Sequence, residues 1–309
     1  MKKNKLNVGT RGSLLALVQT DAVLKILTHH LPDSTFEKKI IHTQGDLDLT
    51  SAFQDMQTRS VFTKELDDAL FDGRIDMAVH SLKDLASSDL PGLCLAWVGL
   101  KEDVRDVWIS NSGARLDQLS EGAKVGSSSI RRQTLLKNYM PQVFVEGLRG
   151  NLSKRFEKLQ QGTLAGMLIS AAGLHRLGWQ NRITQYLDPT YFVPAAGQGL
   201  VGVVIRERDR ALYSQLQVLQ DPQLWQLASL QRLFMKKMNG GCRVPMGVWI
   251  DASDPVTWTF HAYLASPDAK TVLRHHLSVD PAHADPAMHA FINEFDNMGA
   301  HSILAHIRP

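Results

Sequence analysis

The run Val79-His80-Ser81-Leu82-Lys83-Asp84 sets a cation beside a carboxylate where the apolar stretch 75–80 ends. Open α/β sheets bind ligands outside the carboxyl ends of their strands. There, Lys83 can hold an anion and Asp84 can accept N–H groups or stabilise a developing cation. A loop ion pair fits the same spacing. A second run, Gly126-Ser127-Ser128-Ser129-Ile130-Arg131-Arg132, places three hydroxyls at a helix start, followed by two guanidiniums. The first N–H groups of a helix have no partner and the dipole is positive there, so such an end attracts anions. Arginine adds planar, bidentate donors matched to carboxylates. An N-cap followed by two solvated arginines is the alternative.

Further cations recur near element ends: Arg11, Arg149, Arg155 and Arg176. Leu148-Arg149-Gly150-Asn151 occupies a strand-to-helix junction, and Arg155 follows about one turn later. Singly, each reads as a surface charge. Together they describe a cleft for a small polyanion, and phosphate, sulfate or carboxylate groups would all satisfy it. A third run, Asn239-Gly240-Gly241-Cys242-Arg243-Val244-Pro245, brings a thiol onto a tight loop that two glycines permit. Lys236, Lys237 and Arg243 favour its thiolate, although an inert, half-buried cysteine fits too. Cys94, within the apolar stretch 93–98, reads as core.

Other motifs fail on context. Gly197-Gln198-Gly199-Leu200-Val201-Gly202 matches G-x-G-x-x-G, but Pro194-Ala195-Ala196 precedes it and a β-like run follows, so no dinucleotide site is expected. There is no P-loop and no H-E-x-x-H. His275, His276, His283 and His289 lack ligand spacing, so no metal site is expected. His80-Ser81 lacks the nucleophile elbow of a hydrolase.

These runs need elements to hold them. A strand at 5–10 leads through Gly12 to a helix with Ser13 as N-cap and Leu17, Val23, Leu24 and Leu27 as its apolar stripe. A helix over 60–71, with Phe62, Leu66, Ala69 and Leu70 on one side, stops at Gly73 and is followed by a buried strand at 75–80. A new unit begins near Asp106. It has a strand ending at 124–126, helices at 130–139 and 151–160, and a strand at 164–170. A strand at 200–206 follows the glycine turn. The alternation predicts α/β layers with parallel strands. After Asp221-Pro222, a cap and N1 pair, a small α+β module follows: a helix at 224–238, paired strands at 256–264 and 271–279, and a final helix at 287–298 ended by Gly299.

The chain has 309 residues, enough for two or three domains with sizeable cores. Its 34 Lys+Arg against 31 Asp+Glu give a charge of +3, too small an excess to announce a nucleic-acid binder. Two distant cysteines suggest a reducing compartment rather than a disulfide framework. The basic start and the short apolar run at 14–18, interrupted by Arg11, do not make a signal peptide. No apolar run approaches the roughly 18 residues of a membrane span. A cytoplasmic protein without nucleic-acid or membrane partners is expected.

Taken together, runs 9–17, 62–66, 79–84, 126–133, 148–151, 171–178, 194–199 and 240–245 make the chain resemble the hydroxymethylbilane synthases (porphobilinogen deaminases) over nearly its whole length. The resemblance implies two α/β domains like those of periplasmic binding proteins, facing a cleft, plus a small α+β C-terminal domain. Its expected divisions are 1–99 with 200–217, then 105–193, then 222–309. It implies a monomer that carries a dipyrromethane cofactor on Cys242 through a thioether. Four porphobilinogens would be added in turn, each losing ammonia, and released as hydroxymethylbilane. Each pyrrole bears an acetate and a propionate. Cofactor and substrate contacts are therefore implied for Arg11, Ser13, Gln19, Ser81, Lys83, Ser127, Ser128, Ser129, Arg131, Arg132, Arg149, Asn151, Arg155, Arg176 and Gln198. A lid bearing Arg59, Phe62 and Lys64 is implied as well.

Asp84 is the implied catalytic carboxylate, stabilising the azafulvenium cation left when ammonia departs. The chain departs from the family's usual pattern in the lid, with Asp55 and Gln57-Thr58-Arg59-Ser60, and at Gln44 and Gln231. A non-catalytic anion-binding protein on the same fold is the competing class, but it would not require Cys242. Asp84→Ala is expected to be nearly inactive. Asp84→Glu, which moves the charge by one methylene, should lose on the order of 100-fold in turnover. Normal turnover by purified Asp84→Ala would remove Asp84 from the chemistry.

Overall fold

The computed structural model describes residues 4–43, 63–88, 90–241 and 243–307. In the first unit, β1 (Asn4–Arg11), β2 (Ser34–Ile41), β3 (Met77–Ser81) and β4 (Leu93–Gly99) are joined by β10 (Val201–Arg206) in the order β2-β1-β3-β10-β4. Its helices are α1 (Leu14–His30), α2 (Lys64–Phe71) and α6 (Arg210–Val218). Ser13 caps α1 by accepting from the Ala16 N–H, which satisfies one of the orphan donors of the first turn. Leu66, Leu70, Ile75 and Ala78 are fully buried between α2 and the sheet. Cys94 packs against the core on the α1 side of the sheet.

The second unit is ordered β7-β6-β8-β5-β9: Phe144–Glu146, Lys124–Gly126, Gly166–Ser170, Asp106–Ser110 and Gln185–Tyr186. Its helices are α3 (Ile130–Tyr139), α4 (Leu152–Gln160) and α5 (Ala171–Arg176). The third unit is an antiparallel sheet, β11 (Met246–Asp251), β12 (Trp258–Ala265) and β13 (Val272–Val279). It packs with α7 (Pro222–Lys237), α8 (Ala284–Asn297) and α9 (Ala300–Ala305). The architecture is two α/β units and a small α+β unit.

Two expectations need correction, and a third lies partly outside the described residues. The two larger sheets are mixed rather than parallel: β10 runs antiparallel to β3 and β4, and β5 antiparallel to β8 and β9. A parallel neighbour needs a crossover connection, usually a helix, within its own sheet. Both β5 and β10 instead arrive from the other unit along the crossing segments 100–105 and 194–200. The second helix is described from Lys64, with Thr63 at its cap position, so its expected start at 60–62 lies outside the described residues. The helix expected to be final stops at Gly299 as expected, where φ is +104°, but it begins at Ala284 rather than 287 and is followed by another short helix.

The rejected Gly-Gln-Gly turn has a structural role. Gly197 and Gly199 have φ of +70° and +90°, and a Cβ on Gly199 would stand 2.5 Å from the Glu102 carbonyl oxygen. The Glu102 N–H donates to the Gly199 carbonyl at 2.9 Å, so the two crossing segments lie against each other.

In the small unit Phe234, Phe260, Phe291 and Phe295 are all fully buried, with the Phe234 ring 5.6 Å from Phe295 and 5.9 Å from Phe291. Phe234→Ala is expected to lower the unfolding free energy by about 3–5 kcal/mol, through lost transfer energy and a cavity. Chemical denaturation measures this; a loss below about 1 kcal/mol would show that the neighbouring rings collapse into the space.

Candidate active site

The site forms where strands end and helices begin on facing edges of the two larger units. From the first unit come Arg11 and Ser13, between β1 and α1, and Ser81, Lys83 and Asp84, at and after the end of β3. Gln19, one face of α1 further along, donates to Ser81 Oγ at 2.9 Å and orients it. Arg11, Ser13, Gln19, His80, Ser81 and Asp84 line one cavity. Arg11 Nη1 lies 4.0 Å from Asp84 Oδ2: the charges attract without a hydrogen bond, so the carboxylate keeps its acceptor capacity.

From the second unit come the start of α3 and the 148–155 junction. Ser129 caps α3, accepting from the Arg132 N–H at 3.5 Å, and Ser127 Oγ accepts from the Ser129 N–H at 3.3 Å. Ser128 Oγ and Arg132 Nε are buried with no partner. Asn151 caps α4 through an Lys154 N–H, and Arg155 Nε donates to the Gly150 carbonyl at 2.8 Å. Arg149 is half-buried at the same junction.

The sequence-read residues therefore divide by what they touch. Arg11, Ser13, Gln19, Ser81 and Asp84 share the cavity. Lys83 bridges the units, donating to Ser170 Oγ and Gln198 Oε1 at 3.2 Å each. Arg131 is 4% exposed, and its guanidinium donates to Asp106 and to the Val193 carbonyl. Arg176 donates to the Leu100 and Gly199 carbonyls at 2.6 and 2.7 Å, which ties both crossing segments to α5. Lys64 is exposed on the first turn of α2. Arg59, Phe62 and Cys242 lie outside the described residues.

Two residues of the site were not read as site residues from the sequence. Asp106 is wholly buried and accepts from Arg131, Arg132 and Gln198. An acid opening an otherwise apolar strand was the available clue. His80 is 4% exposed on the cavity wall with Nε2 unpartnered. Burial, with Arg11 adding, pushes its imidazole down to about 3, so it is neutral at ordinary pH.

The same physics shapes the cations. Burial first, then Arg132, lowers Lys83 to about 8 and Arg155 to about 10. Burial would raise Asp106, but Arg131 and Arg132 outweigh it and hold the carboxyl far below the usual range. Among the described residues no group of three or more His, Cys, Asp or Glu could hold a metal ion.

Residues 6–214 match the family model described as porphobilinogen deaminase, dipyromethane cofactor binding domain. The chain belongs to the porphobilinogen deaminase family. Porphobilinogen deaminase of Paenibacillus macerans is 41% identical over 81% of this chain and 78% of its own length. Those of Syntrophobacter fumaroxidans and Thermus thermophilus are each 35% identical, over 99% of both chains and over 97% and 98% respectively. The part that matches the porphobilinogen deaminase model supplies every described site residue above, and Cys242 lies outside it. Among solved structures, the VFT2 domain of BvgS from Bordetella pertussis compares at a TM-score of 0.44 and 16% identity, over 74% of this chain and 90% of that one, too distant to carry weight.

The Lys83 shift has a measurable sign. The unfolded chain holds this proton to about 10.5 and the folded protein only to about 8. Between those values the unfolded state binds more protons, so the contribution of Lys83 to stability rises with pH across that window. Lys83→Met should flatten the rise between pH 8 and 10.5 in denaturant titrations. An unchanged slope would mean the ammonium is not desolvated.

Proposed function

We propose that this chain condenses four porphobilinogens head to tail, with loss of ammonia, into hydroxymethylbilane. The observation that carries this reading is the convergence of one carboxylate, Asp84, with Arg11, Lys83, Arg132 and Arg155 at the junction of the two α/β units. A single small anion would not need that many cations. An oligomer gaining an acetate and a propionate with every unit would.

A dipyrromethane fits these residues on two counts. Ser128 Oγ and Arg132 Nε are buried donors without acceptors, which a carboxylated ligand would satisfy. The cations around them are desolvated, and added negative charge relieves both costs. Bound through Cys242, the group supplies the primer carbon to which units are joined. Gly240 and Gly241 precede that thiol.

The chain's own residues then have distinct tasks. Asp84 accepts pyrrole N–H groups and stabilises the cation left when ammonia leaves porphobilinogen. It also orients the attacking ring, which turns a bimolecular encounter into a positioned one. Arg132, Arg155, Arg149 and Arg11 take the carboxylates, with Lys83 as a point charge among them. Ser13, Gln19, Ser81, Ser127, Ser128, Ser129, Asn151 and Gln198 hold backbone and side chains at the cleft edge. Arg131 and Arg176 act from below, through Asp106 and the crossing segments. This reading also gives Arg59, Phe62 and Lys64 a lid role toward the substrate.

The same reading divides the chain into 1–99 with 200–217, 105–193, and 222–309. It takes the protein as a cytoplasmic monomer, with no nucleic-acid or membrane partner. The small net charge and the two distant cysteines support this.

Intact mass tests the function directly. Purified protein is expected to carry a dipyrromethane adduct and to colour with acidic Ehrlich's reagent, and Cys242→Ser should lose both. Active wild-type protein with no added mass would end this reading.

A further inference from the structure

Arg131 and Arg132 are consecutive on the first turn of α3. Consecutive residues on a helix point about 100° apart and do not face a common spot. Here both guanidiniums nevertheless converge, because both reach one carboxylate. Asp106 Oδ2 accepts from Arg131 Nη1 at 2.8 Å, and Oδ1 from Arg131 Nη2 at 3.2 Å, a bidentate pair. Oδ1 also accepts from Arg132 Nη2 at 2.8 Å and from Gln198 Nε2 at 2.8 Å.

The consequences for the two arginines differ. Arg131 also donates to the Val193 carbonyl at 2.7 Å, so both of its terminal nitrogens are engaged by protein. Arg132 meets Asp106 and, at 3.3 Å, the Gln198 oxygen through one nitrogen, Nη2, and keeps a buried, unpartnered Nε–H. The trio carries a net +1, and Gln198 links it to the Val104 carbonyl and, through its oxygen, to Lys83. Asp106 is 0% exposed.

We propose that Asp106 is a positioning residue for the anion-binding cleft: it fixes the direction of Arg132, with Arg131 as a pillar, and so sets where a ligand carboxylate is held. A buried ion pair is weak evidence for stability, since apolar replacements are often neutral. The sharing of one oxygen between neighbouring guanidiniums is what a positioning role requires.

The inference rests on the proposed function, and the test separates the two. Apoprotein is treated with porphobilinogen, and intact mass follows adduct formation on wild type, Asp106→Asn, and Asp106→Asn combined with Arg131→Met. The double variant keeps the net +1 but removes the charged anchor of Arg132, leaving it only neutral oxygens such as that of Gln198, 3.3 Å away. It should unfold at a temperature close to wild type, yet form the adduct at least tenfold more slowly and elongate on the order of 100-fold more slowly. In an Arg132→Gln background, Asp106→Asn should add no further slowing. Should both Asn variants fail to fold, Asp106→Glu, which keeps the charge but displaces it, is expected to fold and show the same slowing. Wild-type rates in the folded variants, or additive losses with Arg132→Gln, would overturn the positioning role. Wild type gaining no adduct would instead overturn the proposed function.

Discussion

Cations gathered in one cleft repel each other, and that constraint organises this protein. Lys83, Arg132 and Arg155 are drawn together by the fold, and each buried neighbour makes the others harder to keep charged. Arginine tolerates such a place because its charge persists; lysine does so only in part, which is why Lys83 sits closest to losing its proton. The tension is left in place deliberately deep. One buried acid, Asp106, offsets two guanidiniums, and the remaining excess positive charge waits for carboxylates.

The same centre lies where the two α/β units exchange chain. Segments 100–105 and 194–200 run side by side, held by the Glu102–Gly199 backbone bond and by Arg176 on two of their carbonyls. Gln198 belongs to one segment and contacts the Val104 carbonyl of the other. Lys83, on the first unit, reaches Ser170 on the second. The cation cluster and the connection between units are therefore built from shared residues. A shift in one changes the field in the other, because the bonds that join the units end on the charges that face the cleft.

Much of this was legible in the chain itself. The helix starts at Ser13, Ser129, Asn151 and Asp221 follow from side chains that accept from their own first turn, a local matter of a few residues. The runs around Asp84 and Arg132 likewise announced a carboxylate after a strand end and a capped helix start followed by two guanidiniums, because both are set by near neighbours. Strand direction was not legible. Whether β5 and β10 run parallel or antiparallel depends on which unit the chain has just left, and no short window contains that information.

Sequence alone thus determined the kinds of group available and the local turns that present them, because both are set within a few residues. Only the tertiary structure decided which arginine has both terminal nitrogens engaged by protein and which keeps a buried, unpartnered Nε–H. Arg131 and Arg132 are chemically identical and adjacent, and their roles part only because Asp106, distant in sequence, is brought between them by the first strand of the second unit.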